Sequence, residues 1–378
     1  MEREIRFFDT TLRDGEQTPG VHFDAETKVT LARRLEDFGA AVVEAGFPAS
    51  SPGDAEAVRR VAEALERAEV AALARCRAGD IDAAAEALAP ARRPVVHVVL
   101  GVSDIHLAKK LRMSRAAAVR AIAESVTRAR RRVERVQFSA EDASRADPVF
   151  LRQCAQAAAD AGASRVNLPD TVGCALPEEY GAMIADVAAF LDRSVIVSAH
   201  CHNDLGLATA NTLAAVRAGA RQVEGCVNGL GERAGNAAVE EVAAALRLKR
   251  IAATGIRLEQ AAELSRLVAE AAGVPVQPNR ALVGANAFTH SSGIHQDGLL
   301  KDPETYEFVS PALVGAPGHR FVITARSGRA AVAREAARAG VAVAPGDVDR
   351  VYRAVLRAAD ARGGAVDPEE IARIAAGV

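Results

Sequence analysis

Cysteine is sparse in this chain, and its placement excludes two common uses. Cys76, Cys154, Cys174, Cys201 and Cys226 form an odd set with no CxxC pair. That points to reduced thiols and excludes a cysteine zinc knuckle. No sign of charge is in excess: 47 Lys and Arg stand against 49 Asp and Glu. Nothing basic therefore argues for nucleic acid. Long apolar runs are also missing, and none approaches the roughly 20 residues that span a bilayer. The start, MEREIRFFDTT, is charged and then strand-like, without an apolar signal core. The expectation is a cytoplasmic protein with neither nucleic acid nor membrane among its partners. What is present is ordinary for a globular chain: 378 residues, 49% hydrophobic and 25% charged. That is enough for roughly two domains with a full core.

The first part of the chain alternates between two textures. Short apolar or β-branched runs occur at 5–8, 41–44, 70–73, 95–100, 133–138, 165–168, 195–198 and 222–226. Stretches of helical apolar spacing lie between them, including 25–38, 54–67, 116–132, 148–161, 178–191 and 205–218. This alternation predicts βα units and a parallel sheet. Eight units in about 250 residues is the usual size of a (β/α)8 barrel. A doubly wound open sheet competes, but no GxGxxG follows the first strand. Ser114 and Ser51-Pro52 are expected helix starts, and Gly39, Gly162 and Gly219 expected helix ends. Beyond about residue 255 the texture changes. A helix at 260–272 leads to a loop-rich stretch at 273–319, a strand-like run at 321–324, and helices near 329–339, 345–359 and 368–376. The expected fold class is α/β: a (β/α)8 TIM barrel over 1–255, a linker or lid subdomain at 256–320, and a helical C-terminal subdomain at 321–378.

Barrel chemistry gathers at the C-terminal ends of the strands. Here those ends carry Arg13, Asp14 and Gln17, then Glu44, then Ser139 and Glu141, then Asn167 and Thr171, then His200 and His202, then Asn236. His200-x-His202 is the sharpest signal, because residues i and i+2 of a strand share one face. Both imidazoles can reach one ion. Strands 1 and 7 lie two apart in a closed barrel, so Asp14 is the expected third ligand, and Asn236 adds a weak oxygen. Two nitrogens with oxygens suit a divalent Lewis acid such as Mg, Mn, Zn or Co. Arg13 offers a planar fork for a carboxylate or enolate oxygen, and Glu44 is placed to order it.

Three long motifs then carry a resemblance. FFDTTLRDGEQTPGVHF, SAHCHNDLGLATANTLAAVRAGARQVEGCVNGLGERAGN and AFTHSSGIHQDGLLKDPETYE occur in that order. Together they resemble the acetyl-CoA-dependent 2-alkylmalate synthases, the family of isopropylmalate, homocitrate and citramalate synthases. The likeness covers roughly residues 3 to 330. It implies condensation of acetyl-CoA with a 2-oxo acid and hydrolysis of the thioester. It implies a divalent metal on Asp14, His200 and His202 with Asn236 nearby, acetyl-CoA as co-substrate, and a monovalent cation as a further activator. It implies that Thr171 binds the substrate carboxylate, that Arg13 holds the developing alkoxide, and that Gln17, Glu44 and Ser139 line the pocket. His295 is implied as the base, assisted by Glu141 and Tyr306. It also implies a homodimer in which 256–320 completes the partner's active site.

Within that family Leu73 stands where homocitrate synthases place a histidine, and Asn167, Pro169 and His97 resemble isopropylmalate synthases. Gln137 stands where homocitrate synthases use an arginine to meet an anion. A second substrate carboxylate buried here without a partner costs several kcal/mol, which favours 2-oxoisovalerate. Homocitrate synthase and a 2-phosphonomethylmalate synthase-like activity are the alternatives, since 101–111 and 139–148 resemble short homocitrate synthases. A metal-dependent acyl-CoA lyase is more distant. The chain is about one domain shorter than leucine-regulated relatives, so leucine feedback through that domain is not expected.

Overall fold

The computed structural model describes residues 4–377. Contacts divide the chain after Pro275 into two compact units; the sequence places the end of the barrel at 255. In the first unit, strands β1 (Glu4–Asp9), β2 (Val42–Gly46), β3 (Glu69–Arg75), β4 (Pro94–Gly101), β5 (Arg135–Glu141), β6 (Arg165–Asp170), β7 (Ile196–Cys201) and β8 (Gln222–Gly225) pair in parallel and in order. β8 pairs with β1, and β1 with β2, which closes the (β/α)8 barrel.

The intervening helices are α1 (Ala25–Phe38), α2 (Pro52–Ala64), α3 (Ala78–Ala87), α4 (Arg115–Arg130), α5 (Pro148–Asp160), α6 (Pro177–Phe190), α7 (Ala208–Ala218) and α8 (Val239–Leu248). The expected caps form: Ser51 and Ser114 accept from backbone N–H groups at the starts of α2 and α4. Gly39, Gly162 and Gly219 take positive φ beyond α1, α5 and α7. A ninth helix, α9 (Ala261–Ala272), packs on α1 and belongs to this unit.

The barrel interior has two unlike halves. Phe8, Val42, Ala71 and Val95, from β1 to β4, form an apolar cluster. Opposite them, Gln137, Asn167, Ser198, Gln222 and Glu224 from β5 to β8 are all buried. Gln222 donates to Gln137 across non-adjacent strands at 2.8 Å, so both side chains point inward. At the N-terminal end of the barrel, Glu69 is ion-paired with Arg6 and Arg165.

The second unit carries β9 (Thr289–His290), α10 (Gly293–Lys301), β10 (Arg320–Phe321), α11 (Arg329–Arg338), α12 (Val348–Arg362) and α13 (Pro368–Ala376). Val351, Val355 and Ala359 recur every four residues on α12, and with Val332, Ala336, Phe321 and Leu299 they form its core. Two local expectations change. The loop-rich stretch contains α10. The strand expected at 321–324 is shorter: Arg320–Phe321 pair with Thr289–His290, and the Thr324 N–H turns to the Ser327 hydroxyl at 3.0 Å. Among the described residues no helix is long and apolar enough to cross a membrane.

Candidate metal centre and its cavity

A cavity of about 480 Å³ opens at the C-terminal ends of the strands. Arg13, Asp14, Gln17, Leu73, His97, Ser139, Glu141, Asn167, Pro169, Thr171, His200 and His202 line it. Asp14 lies in the turn after β1, and His200 and His202 lie at the end of β7. The order β7-β8-β1 brings them together as expected. Carboxylate and ring atoms of the three lie within 4.8 Å of one another, and all three residues are buried. Nε2 of His202 is 3.5 Å and Nε2 of His200 3.8 Å from Asp14. The two Nε2 atoms are only 3.4 Å apart. Two ring nitrogens and a carboxylate converging at this range require a shared cation or proton.

The donor set fits a divalent ion. Asn236 donates through Nδ2 to Asp14 at 2.8 Å and to the Leu230 carbonyl at 2.9 Å. Its Oδ1 is buried without a hydrogen-bond partner among the described residues, which leaves it free as a further ligand. Burial pushes the Asp14 carboxyl up, but the Arg13 guanidinium and the two histidines outweigh it and hold Asp14 well below the usual range. Burial pushes the His202 imidazole down, and Asp14 reverses that and raises it. The Nδ1 of His202 is fixed by the Thr171 carbonyl at 2.5 Å, the outer hydrogen bond that orients a metal-binding histidine.

A second chain of contacts runs beneath the cavity. Arg13 donates to Asp14 through Nη1 at 2.6 Å and to Glu44 through Nε at 2.7 Å. Two of its donors are thus committed, and the rest of its fork is available to a ligand. Glu44 is fully buried behind Arg13 and also bonds His97 Nδ1 at 2.6 Å, and His97 Nε2 meets the Ser139 hydroxyl at 2.6 Å. Burial pushes Glu44 up, and Arg13 and His97 together pull it below its ordinary value. Both ring nitrogens of His97 are therefore spoken for. Gln137 is turned away from the cavity. Its amide donates to Glu224 at 2.8 Å.

On the cavity wall, Glu141 is held by Lys110 at 2.6 and 2.9 Å. Lys110 comes from a single π-helical turn, His106–Leu111, an irregularity frequent at functional sites. Arg75 is paired with Asp80 at 2.6 Å, and Arg233 with Asp204 at 2.8 Å. The Thr171 hydroxyl accepts from the Asp142 N–H at 2.9 Å and keeps its own proton for another acceptor. His295 and Tyr306 belong to the second unit, where their ring centroids lie 4.3 Å apart. Both are exposed. Sequence reasoning missed Lys110 and Glu224. The i, i+2 pair Gln222 and Glu224 on the eighth strand was the available signal for the latter.

Residues 4–268 match the HMGL-like family model, and residues 282–363 match the homocitrate synthase post-HMGL domain-like model. A 2-isopropylmalate synthase of Listeria welshimeri is 47% identical over 95% of this chain and 71% of its own length. One from Carboxydothermus hydrogenoformans is 49% identical over 88% of this chain and 66% of its own length. Among solved structures, hydroxymethylglutaryl-CoA lyase from Pseudomonas aeruginosa superposes with a TM-score of 0.64 at 22% identity, covering 73% of this chain and 95% of that one. That likeness shows the fold. The chain belongs to the HMGL-like family and is an enzyme of the 2-alkylmalate synthase type.

Proposed function

We propose that this enzyme condenses acetyl-CoA with 2-oxoisovalerate and releases 2-isopropylmalate and CoA. One observation carries the reading: Arg13 presents the open part of its guanidinium beside the Asp14, His200 and His202 cluster inside one cavity. A divalent ion held there supplies Lewis-acid polarisation of the 2-oxo acid. Arg13 stabilises negative charge that grows on the keto oxygen as the new carbon–carbon bond forms. The Thr171 proton is available to the substrate carboxylate. An acetyl methyl group is a weak acid, so a base must take its proton while the bond forms. His295 is that base in this reading, supported by Glu141 and Tyr306. Water then adds at the thioester carbon, the carbon–sulfur bond breaks, and CoA leaves as the thiol.

The substrate assignment rests on the wall. Leu73 and Pro169 are apolar, Gln137 is committed to Glu224, and Lys110, Arg75 and Arg233 are each paired with a carboxylate. Apart from Arg13, the one wall cation without a carboxylate among the described residues is Arg77, which is exposed, so a second substrate carboxylate near Leu73 finds no buried cation already waiting for it. The reading includes a homodimer in which His295 and Tyr306 serve the partner's substrate; the family resemblance supports this part. The test is thiol release and product mass with purified protein, Mg or Mn, acetyl-CoA and 2-oxoisovalerate. The expected result is thiol release only with both substrates present and a product of the mass of 2-isopropylmalate. Absence of release with every 2-oxo acid, or cleavage of a hydroxyacyl-CoA instead, overturns the proposal.

A further inference from the structure

The barrel interior contains a carboxylate that neither the cavity nor the proposed reaction uses. Glu224 sits on β8, buried beneath the metal centre. An apolar cluster fills part of the opposite side of the same barrel, and a carboxylate sunk in the interior has to be matched by donors. It is. Oε1 accepts from Gln137 Nε2 and Ser198 Oγ, each at 2.8 Å, and Oε2 accepts from Asn167 Nδ2 at 3.1 Å. These donors come from β5, β6 and β7, so three strands fix the carboxylate's orientation.

A ring nitrogen beside Glu224 is left over. Nδ1 of His200 lies 3.4 Å from Oε2 and is buried without a hydrogen-bond partner among the described residues. Its neighbour His202 is treated differently, since its Nδ1 is already held by the Thr171 carbonyl. A histidine binds a metal through one nitrogen only when the other carries the proton, and the group that takes that proton sets the tautomer and the ring angle.

We propose that Glu224 is a positioning residue for the metal centre. Its carboxylate accepts a hydrogen bond from the Nδ1–H of His200, leaving Nε2 as the bare lone pair facing Asp14 and His202. The polar half of the barrel interior is then a platform: Gln137, Asn167 and Ser198 orient Glu224, Glu224 orients His200, and His200 binds the ion. A carboxylate also makes the imidazole a stronger ligand than a carbonyl does, so the two histidines are unequal. This inference rests on the metal centre of the proposed function but not on its substrates.

The test uses the full chain. Metal-free wild type and Glu224→Gln are compared by chelator competition with Mn²⁺ or Co²⁺, alongside thermal unfolding of both. The expected result is a folded variant that binds metal about 10–100-fold more weakly. Wild-type affinity in a folded variant overturns the proposal. A glutamine placed among these donors can itself unfold the barrel, so a second measurement needs no variant. Nitrogen-15 NMR of metal-free wild type at mildly alkaline pH reads the tautomer of His200. A proton on Nδ1 is expected, and a proton on Nε2 overturns the proposal. Neither readout involves acetyl-CoA or a 2-oxo acid, so failure of the proposed reaction is distinguishable from failure here.

Discussion

Replacing Gly231 by alanine strikes the metal centre without substituting any of its ligands. A Cβ at this position falls 2.1 Å from Nδ2 of Asn236 and 3.0 Å from Oδ1 of Asp14, on a backbone with φ of +144°. Unstrained contact needs about 3.5 Å, so the Asn236 amide has to retreat by more than about 1 Å. That retreat breaks its hydrogen bonds to Asp14 and to the Leu230 carbonyl. The backbone strain adds about 1–3 kcal/mol. A displacement near 1 Å in a catalytic array costs on the order of 100-fold in rate, and disturbing an outer hydrogen bond of a metal site costs about 10–100-fold in affinity. Gly231→Ala should therefore bind metal at least about 10-fold more weakly and lose about 100-fold in kcat/KM. Metal analysis after dialysis and a thiol-release assay read both quantities. Full metal stoichiometry with unchanged kcat/KM would refute the placement of Asn236 and Asp14 in one centre.

Four further outcomes are expected. His202→Ala should lose metal and activity together, and full activity with stoichiometric metal would remove His202 from the site. His295→Ala should keep metal and 2-oxo acid binding, followed calorimetrically, while condensation falls by about 100-fold or more; unchanged turnover would take His295 out of the reaction. Leu73→His should raise kcat/KM for 2-oxoglutarate, and no change would mean that the pocket is set elsewhere. Asp9 is fully buried, and burial pushes its carboxyl up to about 7, only partly offset by hydrogen bonds from Thr11. The folded state then holds a proton that the unfolded chain releases, so stability falls as pH rises from about 4 to about 7. The shift corresponds to roughly 4 kcal/mol as an upper figure. Asp9→Asn keeps an acceptor for Thr11 and removes the charge. Its melting temperature should exceed that of wild type at pH 8 and converge with it near pH 4; parallel pH curves would contradict the assignment.

The barrel was legible because its signals are local and repeated. The apolar runs at 70–73 and 95–100 and the helical spacing at 25–38 fall within or on observed elements. His200-x-His202 was legible because strand alternation alone puts both rings on one face. α10 was not, since Gly293 and Gly298 read as breakers. The structure gives them another reason: a Cβ on Gly298 would lie 2.5 Å from the Tyr306 ring, and one on Gly293 would lie 2.8 Å from the Gly328 nitrogen. Close packing demanded glycine inside a helix. Among the helices of the eight expected βα units, α3, Ala78–Ala87, was not singled out, because its alanine-rich sequence gives little contrast between its faces. Gln137 was read as a wall residue, yet its partner Glu224 lies 87 positions away in sequence. Long-range pairing of this kind leaves no local trace, which is also why Glu224 escaped notice; Glu44 was expected both to order Arg13 and to line the pocket, and it sits behind Arg13, bonded to it.

The most direct test of the central claim is the ratio of kcat/KM for 2-oxoisovalerate to that for 2-oxoglutarate, with acetyl-CoA and Mg or Mn. Pyruvate, oxaloacetate and phosphonopyruvate complete the panel. An unpaired carboxylate buried beside Leu73 costs several kcal/mol, a factor of about 100 or more in rate. The account predicts 2-oxoisovalerate preferred by that margin. A preference for 2-oxoglutarate or for the phosphonate acid would contradict it and show that a cation of the wall leaves its carboxylate to meet the substrate.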